Sequence, residues 1–238
     1  MIKKTAVLVV DDEPSIQDFI RKNLEVRGYD VITAANGLEA LASLENEHVD
    51  LIILDVMMPH MDGLETTRRI RQKSTVPIIL LTALDEETDK IQAFNIGADD
   101  YLTKPFGLGE LLGRIKAVMR RTQWGKSPTS NRRIIQGDIM MDLERHEVEV
   151  RGKKVSLTPT EFNVLALMIS HAGKVLPHSM ILKEVWGDEY GCELEYLRVY
   201  IGHLRKKIER DPNAPEYLIS ERGIGYLFNI PKKTTPGY

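Results

Sequence analysis

Five side chains able to do polar chemistry stand directly behind short apolar runs in the first half of this 238-residue chain. Asp11 and Asp12 follow TAVLVV at 5–10, Asp55 follows LIIL, Thr82 follows the apolar run at 76–81, and Lys104 follows YLT and precedes Pro105. Runs this short and continuous suit strands buried on both faces of a parallel sheet. Open α/β sheets place their ligand crevices at the carboxyl ends of such strands, so all five groups are expected to face one crevice. Three carboxylates there repel one another unless a cation neutralises them. An all-oxygen set suits Mg²⁺, which keeps several waters and takes one or two carboxylates together with phosphate oxygens. The chemistry expected is therefore phosphoryl chemistry. Thr82 would add a hydroxyl and Lys104 an ammonium, and a cis bond before Pro105 would aim the lysine inward.

Positioning these groups requires strands and helices in alternation. Pro14 suits the first turn of a helix, in which Ile16, Phe19, Ile20 and Leu24 recur at helical spacing until Gly28. The pattern continues with a strand at 30–33, a helix at 38–46, the strand ending at Asp55 and a helix at 64–72. A strand at 76–81, a helix at 86–95, a strand at 101–102 and a helix at 108–121 complete it. Five strands alternating with five helices predict an α/β doubly wound parallel sheet. In the flavodoxin-like strand order the first and third strands flank the topological switch point, and these are the strands that end in Asp11-Asp12 and in Asp55.

Composition excludes several classes. No apolar run approaches the roughly 20 residues of a membrane-spanning helix, and the N-terminal residues lead straight into a strand and not a signal peptide, so a cytoplasmic protein with no membrane partner is expected. Cys192 is the single cysteine, which leaves no internal disulfide framework or thiolate metal site. The net charge of −3 hides an asymmetry: residues 1–121 carry 20 acidic and 15 basic side chains, whereas 122–238 carry 15 and 17. The two halves are expected to meet different partners.

Residues 122–133 (TQWGKSPTSNRR) gather Gly, Pro, Ser, Thr and Asn without apolar periodicity and read as a flexible linker. Domains are accordingly expected at 1–121 and 134–231, with a frayed tail at 232–238. From 134 to 157 short alternating segments, with a turn at Arg151-Gly152, predict a small antiparallel sheet. Thr158-Pro159 with Glu161 forms a capping box for a helix that buries Phe162, Leu165, Ala166 and Ile169. A second helix is expected at 179–186. In a third, Leu194, Leu197, Ile201, Leu204 and Ile208 repeat at three and four and face a core. Glu195, Val199, Gly202, His203 and Lys206 fall on its opposite face, with Tyr196, Arg198 and Arg205 on the flanks. Gly202 inside a helix costs about 1 kcal/mol relative to Ala, which close approach to another surface would explain. A hairpin at 217–230 (YLISERGIGYLFNI) follows, with Arg222 at its tip. A basic helix followed by such a hairpin is the winged form of the helix-turn-helix, helix in the major groove and wing over the minor groove.

The motifs VLVVDDEP, LIILDVMMPHMDG, ILLTA and GADDYLTKPF resemble the receiver domain of two-component response regulators, over 1–121. LTPTEFNVL, LRKKIE and ERGIGYLF resemble the OmpR/PhoB winged-helix effector domain, over about 134–230. EYLRVYIGHLRKKIE, with FGLGEL, looks closest to the potassium-transport-operon branch. The resemblance implies a response-regulator transcription factor, not an enzyme. Asp55 would be the phosphoacceptor, Asp12 and Asp55 direct Mg²⁺ ligands with the Met57 carbonyl, and Asp11 an outer one. Lys104 would pair with the phosphoryl group, and Thr82 and Tyr101 would form the switch. Lys90, Asp99, Asp100, Glu110, Arg114 and Arg121 are expected, as exposed charges of both signs, to join two phosphorylated receivers. Asn95 stands where an acidic residue is common, opposite Lys116, so one ion pair is expected to be missing. In the effector, Arg205, Lys206 and Arg222 match phosphate or wing contacts, and Tyr196, Val199, Tyr200, Gly202 and His203 occupy base-reading positions, where apolar contact with thymine methyls could carry part of the readout. The implied partners are a sensor histidine kinase, double-stranded direct-repeat promoter DNA, a second copy of the chain, and RNA polymerase at the loop 187–193.

Met57 and Leu84, two residues past Asp55 and Thr82, flank in receivers the path of the hydrolytic water. Neither side chain can hold a water by hydrogen bonding, so slow self-dephosphorylation is expected. Two other readings stay open from the residues: an aspartyl-phosphate hydrolase, which would usually want a second acid where Met57 stands, and a DNA-binding protein with a vestigial receiver, against which the intact acid, Thr and Lys set argues.

Overall fold

Five of the apolar runs form five parallel strands, β1 (Ala6–Val10), β2 (Asp30–Ala34), β3 (Leu51–Asp55), β4 (Ile78–Thr82) and β5 (Asp100–Thr103), in the order β2-β1-β3-β4-β5. Between and after them lie α1 (Pro14–Glu25), α2 (Gly37–Asn46), α3 (Gly63–Arg71), α4 (Glu87–Asn95) and α5 (Leu108–Gln123). This is a computed structural model, and it describes residues 4–83, 87–123, 133–187 and 194–230. By contacts the chain forms two units, Met1–Met119 and Arg120–Tyr238.

Every residue of β1, β3 and β4 is buried. Alternate side chains point to opposite faces of a strand, so each run serves two cores. Leu8, Val10, Ile52, Leu54, Ile78 and Leu80 pack with Ala40, Ile70 and Ala93 of α2, α3 and α4. Val7, Val9, Leu51, Ile53, Ile79 and Leu81 pack with Ile20 and Leu24 of α1 and Leu111, Ile115 and Val118 of α5. Each such Val, Leu or Ile side chain contributes about 1.5–3 kcal/mol on burial, and a slip of one residue would exchange the two cores. That pins the register. Val10 lies beside Leu54, Asp55 beside Leu81 and Thr82 beside Thr103, so the chain leaves β1, β3, β4 and β5 at one level.

The second unit opens with an antiparallel sheet in the order β6 (Arg133–Gln136), β7 (Ile139–Asp142), β8 (Glu147–Val150), β9 (Lys153–Val155). Arg151 and Gly152 both have positive φ, 53° and 72°, as a two-residue turn matched to strand twist requires. Then come α6 (Pro159–Ser170), β10 (Val175–Pro177), α7 (His178–Trp186), α8 (Leu194–Ile208), β11 (Leu218–Glu221) and β12 (Gly225–Phe228). The capping box is present: Thr158 accepts from the Glu161 N–H at 3.3 Å and Glu161 accepts from the Thr158 N–H at 2.8 Å. The expected hairpin is a three-stranded sheet, β10-β12-β11, because the three residues VLP, too short for any period to show, pair antiparallel with β12. Among the described residues no helix is long and apolar enough to cross a membrane.

Candidate functional site

The register delivers Asp11, Asp55, Thr82 and Lys104 to one edge of the first sheet, and the side chains of Asp11, Asp55 and Lys104 meet there. The Lys104 ammonium lies 2.9 Å from Asp11 Oδ2 and 2.9 Å from Asp55 Oδ2; the peptide bond to Pro105 is cis. Carboxylate oxygens of Asp11, Asp12 and Asp55 lie within 4.8 Å of one another. Asp11 and Asp55 are buried and Asp12 is exposed, so the acid cluster opens to solvent on the Asp12 side. An all-oxygen, open-sided set of three carboxylates fits Mg²⁺, which holds to few protein oxygens and keeps its waters.

Supporting contacts fix this edge. Gln17 donates from Nε2 to the carbonyls of Asp11 at 2.6 Å and Ala34 at 3.0 Å, tying the ends of β1 and β2. Asp11 also accepts from the Glu13 N–H at 2.9 Å. The Gly63 N–H donates to the Val56 carbonyl at 2.9 Å, and a Cβ on Gly63 would sit 2.1 Å from the Asp55 carbonyl oxygen. No side chain fits there. Asp62 caps α3 by accepting from the Glu65 N–H at 2.7 Å. Burial pushes the Asp55 carboxyl above its ordinary range, although Lys104 and the Met57 N–H pull it back. Burial pulls Lys104 down, but its hydrogen bonds to Asp11 and Asp55 outweigh that and hold the ammonium above the usual lysine range. The Met57 side chain is 63% exposed beside the crevice. Leu84 lies outside the described residues.

Tyr101, expected as a switch residue, is half-buried, edge-on to Phe94 at 5.7 Å, with the Arg114 guanidinium 5.8 Å over its ring. Thr82 is buried at the end of β4. The charges expected to be exposed beside them are mostly not. Asp99 is 1% exposed, because Arg71 meets it at 2.8 Å and the Ile78 N–H donates to it. The same arginine donates to the carbonyls of Gly97 and Val76, so Arg71 and Asp99 close the turn between α4 and β5. Asp100 is fully buried, paired with Arg114 at 3.3 Å. Arg121, grouped with the second unit, is also buried, its Nε donating to the Val185 carbonyl at 3.3 Å and its guanidinium over the Trp186 ring. Internal partners have turned all three inward. Glu110, Asn95 and Lys116 are exposed; α4 includes Lys90, whose side chain lies outside the described residues.

In α8 the expected core residues Leu197, Ile201, Leu204 and Ile208 are buried. Tyr196 and Tyr200, expected to read bases, are 5% and 2% exposed, with Tyr200 tilted against Trp186 at 5.2 Å. Their bulk extends the apolar face, and they belong to the core. Val199, Gly202 and His203 remain partly exposed, and Lys206 and Arg222 fully so. Arg198, placed by the sequence only on the flank of α8, is exposed and paired with Glu195. Glu161 was seen as a cap, but it also accepts from Lys207 Nζ at 2.5 Å and lies 3.6 Å from His203 Nδ1. Residues 188–193, most of the expected polymerase-contacting loop, and Trp124 with the linker residues 124–132 lie outside the described residues.

Residues 7–116 match the response regulator receiver domain family, and residues 152–228 match the family described as transcriptional regulatory protein, C terminal. The transcriptional regulatory protein KdpE of Mycobacterium tuberculosis is 43% identical over 225 residues, covering 94% of this chain and 99% of that protein. The alkaline phosphatase synthesis transcriptional regulatory protein PhoP of Bacillus subtilis is 41% identical, covering 95% and 97%. Among solved structures, the response regulator DrrB, an OmpR/PhoB homologue of Thermotoga maritima, is 31% identical with a TM-score of 0.51, covering 95% of this chain and all of that one. The KdpE and PhoP relatives thus stand at nearly equal identity.

Proposed function

This chain belongs to the response-regulator family of two-component systems, with a receiver domain and an OmpR/PhoB-type DNA-binding domain that regulates transcription, and from that premise we propose that Asp55 is its phosphoacceptor. The observation that carries the reading is the Lys104 ammonium 2.9 Å from both Asp11 and Asp55 in a three-acid cluster. An Asp55 oxygen attacks the phosphorus of a phosphohistidine on a sensor kinase. The O–P bond forms, the P–N bond breaks, and its electron pair returns to the imidazole. Asp55 is the nucleophile, Lys104 neutralises an oxygen of the group in flight, and the strand ends supply position and field. Asp11, Asp12, Asp55 and the Met57 carbonyl would hold Mg²⁺, which supplies charge for the phosphoryl oxygens. Turnover of an external substrate forms no part of the role.

The added charge is then followed by Thr82 and Tyr101, a two-state change biased by one modification. Receivers pair through the surface of α4, β5 and α5, where Glu110 is exposed; Asp99 and Asp100 serve inside each subunit, held by Arg71 and Arg114. Pairing sets two weak DNA sites on one scaffold, which suits direct-repeat promoter DNA, read by Val199, Gly202, His203 and Lys206 on α8 with Arg222 from the wing. Residues 187–193 are the stretch offered to RNA polymerase, and the cytoplasm is where the kinase, DNA and polymerase partners meet the chain.

Beryllofluoride with Mg²⁺ tests the whole of this. Sedimentation should move from monomer to dimer, and affinity for promoter DNA should rise on the order of 100-fold; unchanged affinity would leave the receiver without influence. A second measurement concerns lifetime. Met57→Asn combined with Leu84→Glu should speed loss of the phosphoryl group by about tenfold, since both new side chains can hold water, and an unchanged rate would remove any part for these positions.

A further inference from the structure

We infer that Arg205 serves DNA binding as a strut between α8 and the wing, and that what Arg222 contributes at the wing tip depends on it. The inference rests on the DNA-binding role of this helix and wing. Sequence reasoning makes Arg205 a phosphate contact, yet its guanidinium is spent on protein. Nε and Nη2 donate to the Leu218 carbonyl at 3.0 and 2.6 Å, and Nη2 donates to Ser220 Oγ at 2.9 Å.

The identity of the acceptor matters. β11 is an edge strand, in the order β10-β12-β11, and alternate residues on an outer edge have backbone groups without a ladder partner. Leu218 is such a residue. Its carbonyl is taken by Arg205, and its N–H donates to Glu209 Oε1 at 2.8 Å. Glu209 is buried, lies one turn beyond Arg205 with its own N–H bonded to the Arg205 carbonyl, and also accepts from the N–H groups of Glu216 and Tyr217. An acid and a base at the end of the DNA-reading helix therefore clasp both backbone groups of one wing residue. On the other side the hairpin is stopped by contact, since a Cβ on Gly225 would lie 1.8 Å from the Leu176 carbonyl oxygen of β10. Three residues, Arg222, Gly223 and Ile224, bridge Glu221 and Gly225, which pair. Held from both flanks, this short tip has its position set relative to α8, and a lysine at 205 could keep the charge but not the planar fork that spans a carbonyl and a hydroxyl.

The test is a double-mutant cycle in the full-length protein, on a duplex that the wild-type chain selects from a random-sequence library. Arg222→Ala in the wild-type background should cost about tenfold in affinity and lower the salt slope by about one. Arg205→Lys should also cost about tenfold, with the slope unchanged. Adding Arg222→Ala to Arg205→Lys should cost less than about twofold more, because the wing is already misplaced. Ser220→Ala, which removes one acceptor and leaves the carbonyl, should move in the same direction by a smaller factor and keeps the question answerable if Arg205→Lys folds poorly. A purely structural role would lower thermal stability and leave the Arg222→Ala factor the same in both backgrounds, which overturns the inference. So does a slope lowered by about one in Arg205→Met with wild-type affinity in Arg205→Lys, the signature of a phosphate contact. A wild-type chain that selects no duplex defeats the DNA-binding reading itself, and the strut with it.

Discussion

A chain carrying Asp55→Asn gains no phosphoryl mass from acetyl phosphate and Mg²⁺, and its DNA affinity is the same with and without that donor, while the wild-type chain tightens on the order of 100-fold. The amide keeps the shape of the carboxyl and can still accept the Met57 N–H, but it has no anionic oxygen to attack phosphorus. The fold persists, because β3 is held by side chains on both sheet faces and not by this group. Intact-mass spectrometry on both chains reads the modification, and gel shift or fluorescence anisotropy reads affinity. A phosphoryl group found elsewhere on the Asp55→Asn chain, with DNA affinity still responding, would make the Asp55 carboxylate dispensable.

Replacing Lys104 by Met should destabilise the metal-free protein by about 2–3 kcal/mol near neutral pH, below the roughly 3–5 kcal/mol that breaking a fully buried pair costs, because the lysine is partly exposed. The sign follows from the two shifts. Lys104 is held above the usual lysine range, so its contribution is fully present below that range and is lost only as pH rises through the raised value. Asp55 is held above its ordinary range by burial; its ionisation therefore works against the fold, a cost absent in acid that grows as pH rises through the raised carboxyl pKa. Without Lys104 the carboxyl rises further and that cost becomes larger at neutral pH. Below about pH 4, where the raised Asp55 carboxyl is protonated, the difference between variant and wild type should shrink to under about 1 kcal/mol. Added Mg²⁺ should restore more stability to the variant than to wild type, since the variant's cluster is one positive charge poorer. Urea unfolding at several pH values, in EDTA and in MgCl₂, measures all of this. An equal loss at pH 4 and at neutral pH would mean that the lysine stem, not its charge, was missed.

The crevice was legible because a parallel sheet makes chain order and position nearly the same thing. Apolar runs locate β1, β3, β4 and β5, whose carboxyl ends share one edge, so Asp11, Asp55, Thr82 and Lys104 could be brought together without a single tertiary contact. Charged surfaces offer no such shortcut. Asp99 and Asp100 read as exposed because acids usually are; what buries them is Arg71, 28 residues away, and Arg114, 14 residues away. In α8 the leucine and isoleucine stripe announced one face, but its width depends on Trp186, which is not in that helix and which draws Tyr200 into the core. Arg205 is the same lesson from the other side: basic in sequence, and engaged by a strand 13 residues on.

The closure of the chain at Gly63 bears on where motion can go. From Val56 to Gly63 the backbone forms a ring shut by one hydrogen bond, and the space for a side chain at its junction is filled by the carbonyl of Asp55 itself. With that junction filled, the ring has no room to close further on this side, which bears on the dianion that the proposed phosphorylation would add to Asp55. The wall of the crevice on that side acts as an anvil. On the proposed role of Asp55, displacement would be directed across the sheet to the ends of β4 and β5, and Gly63 would set the direction in which the signal leaves.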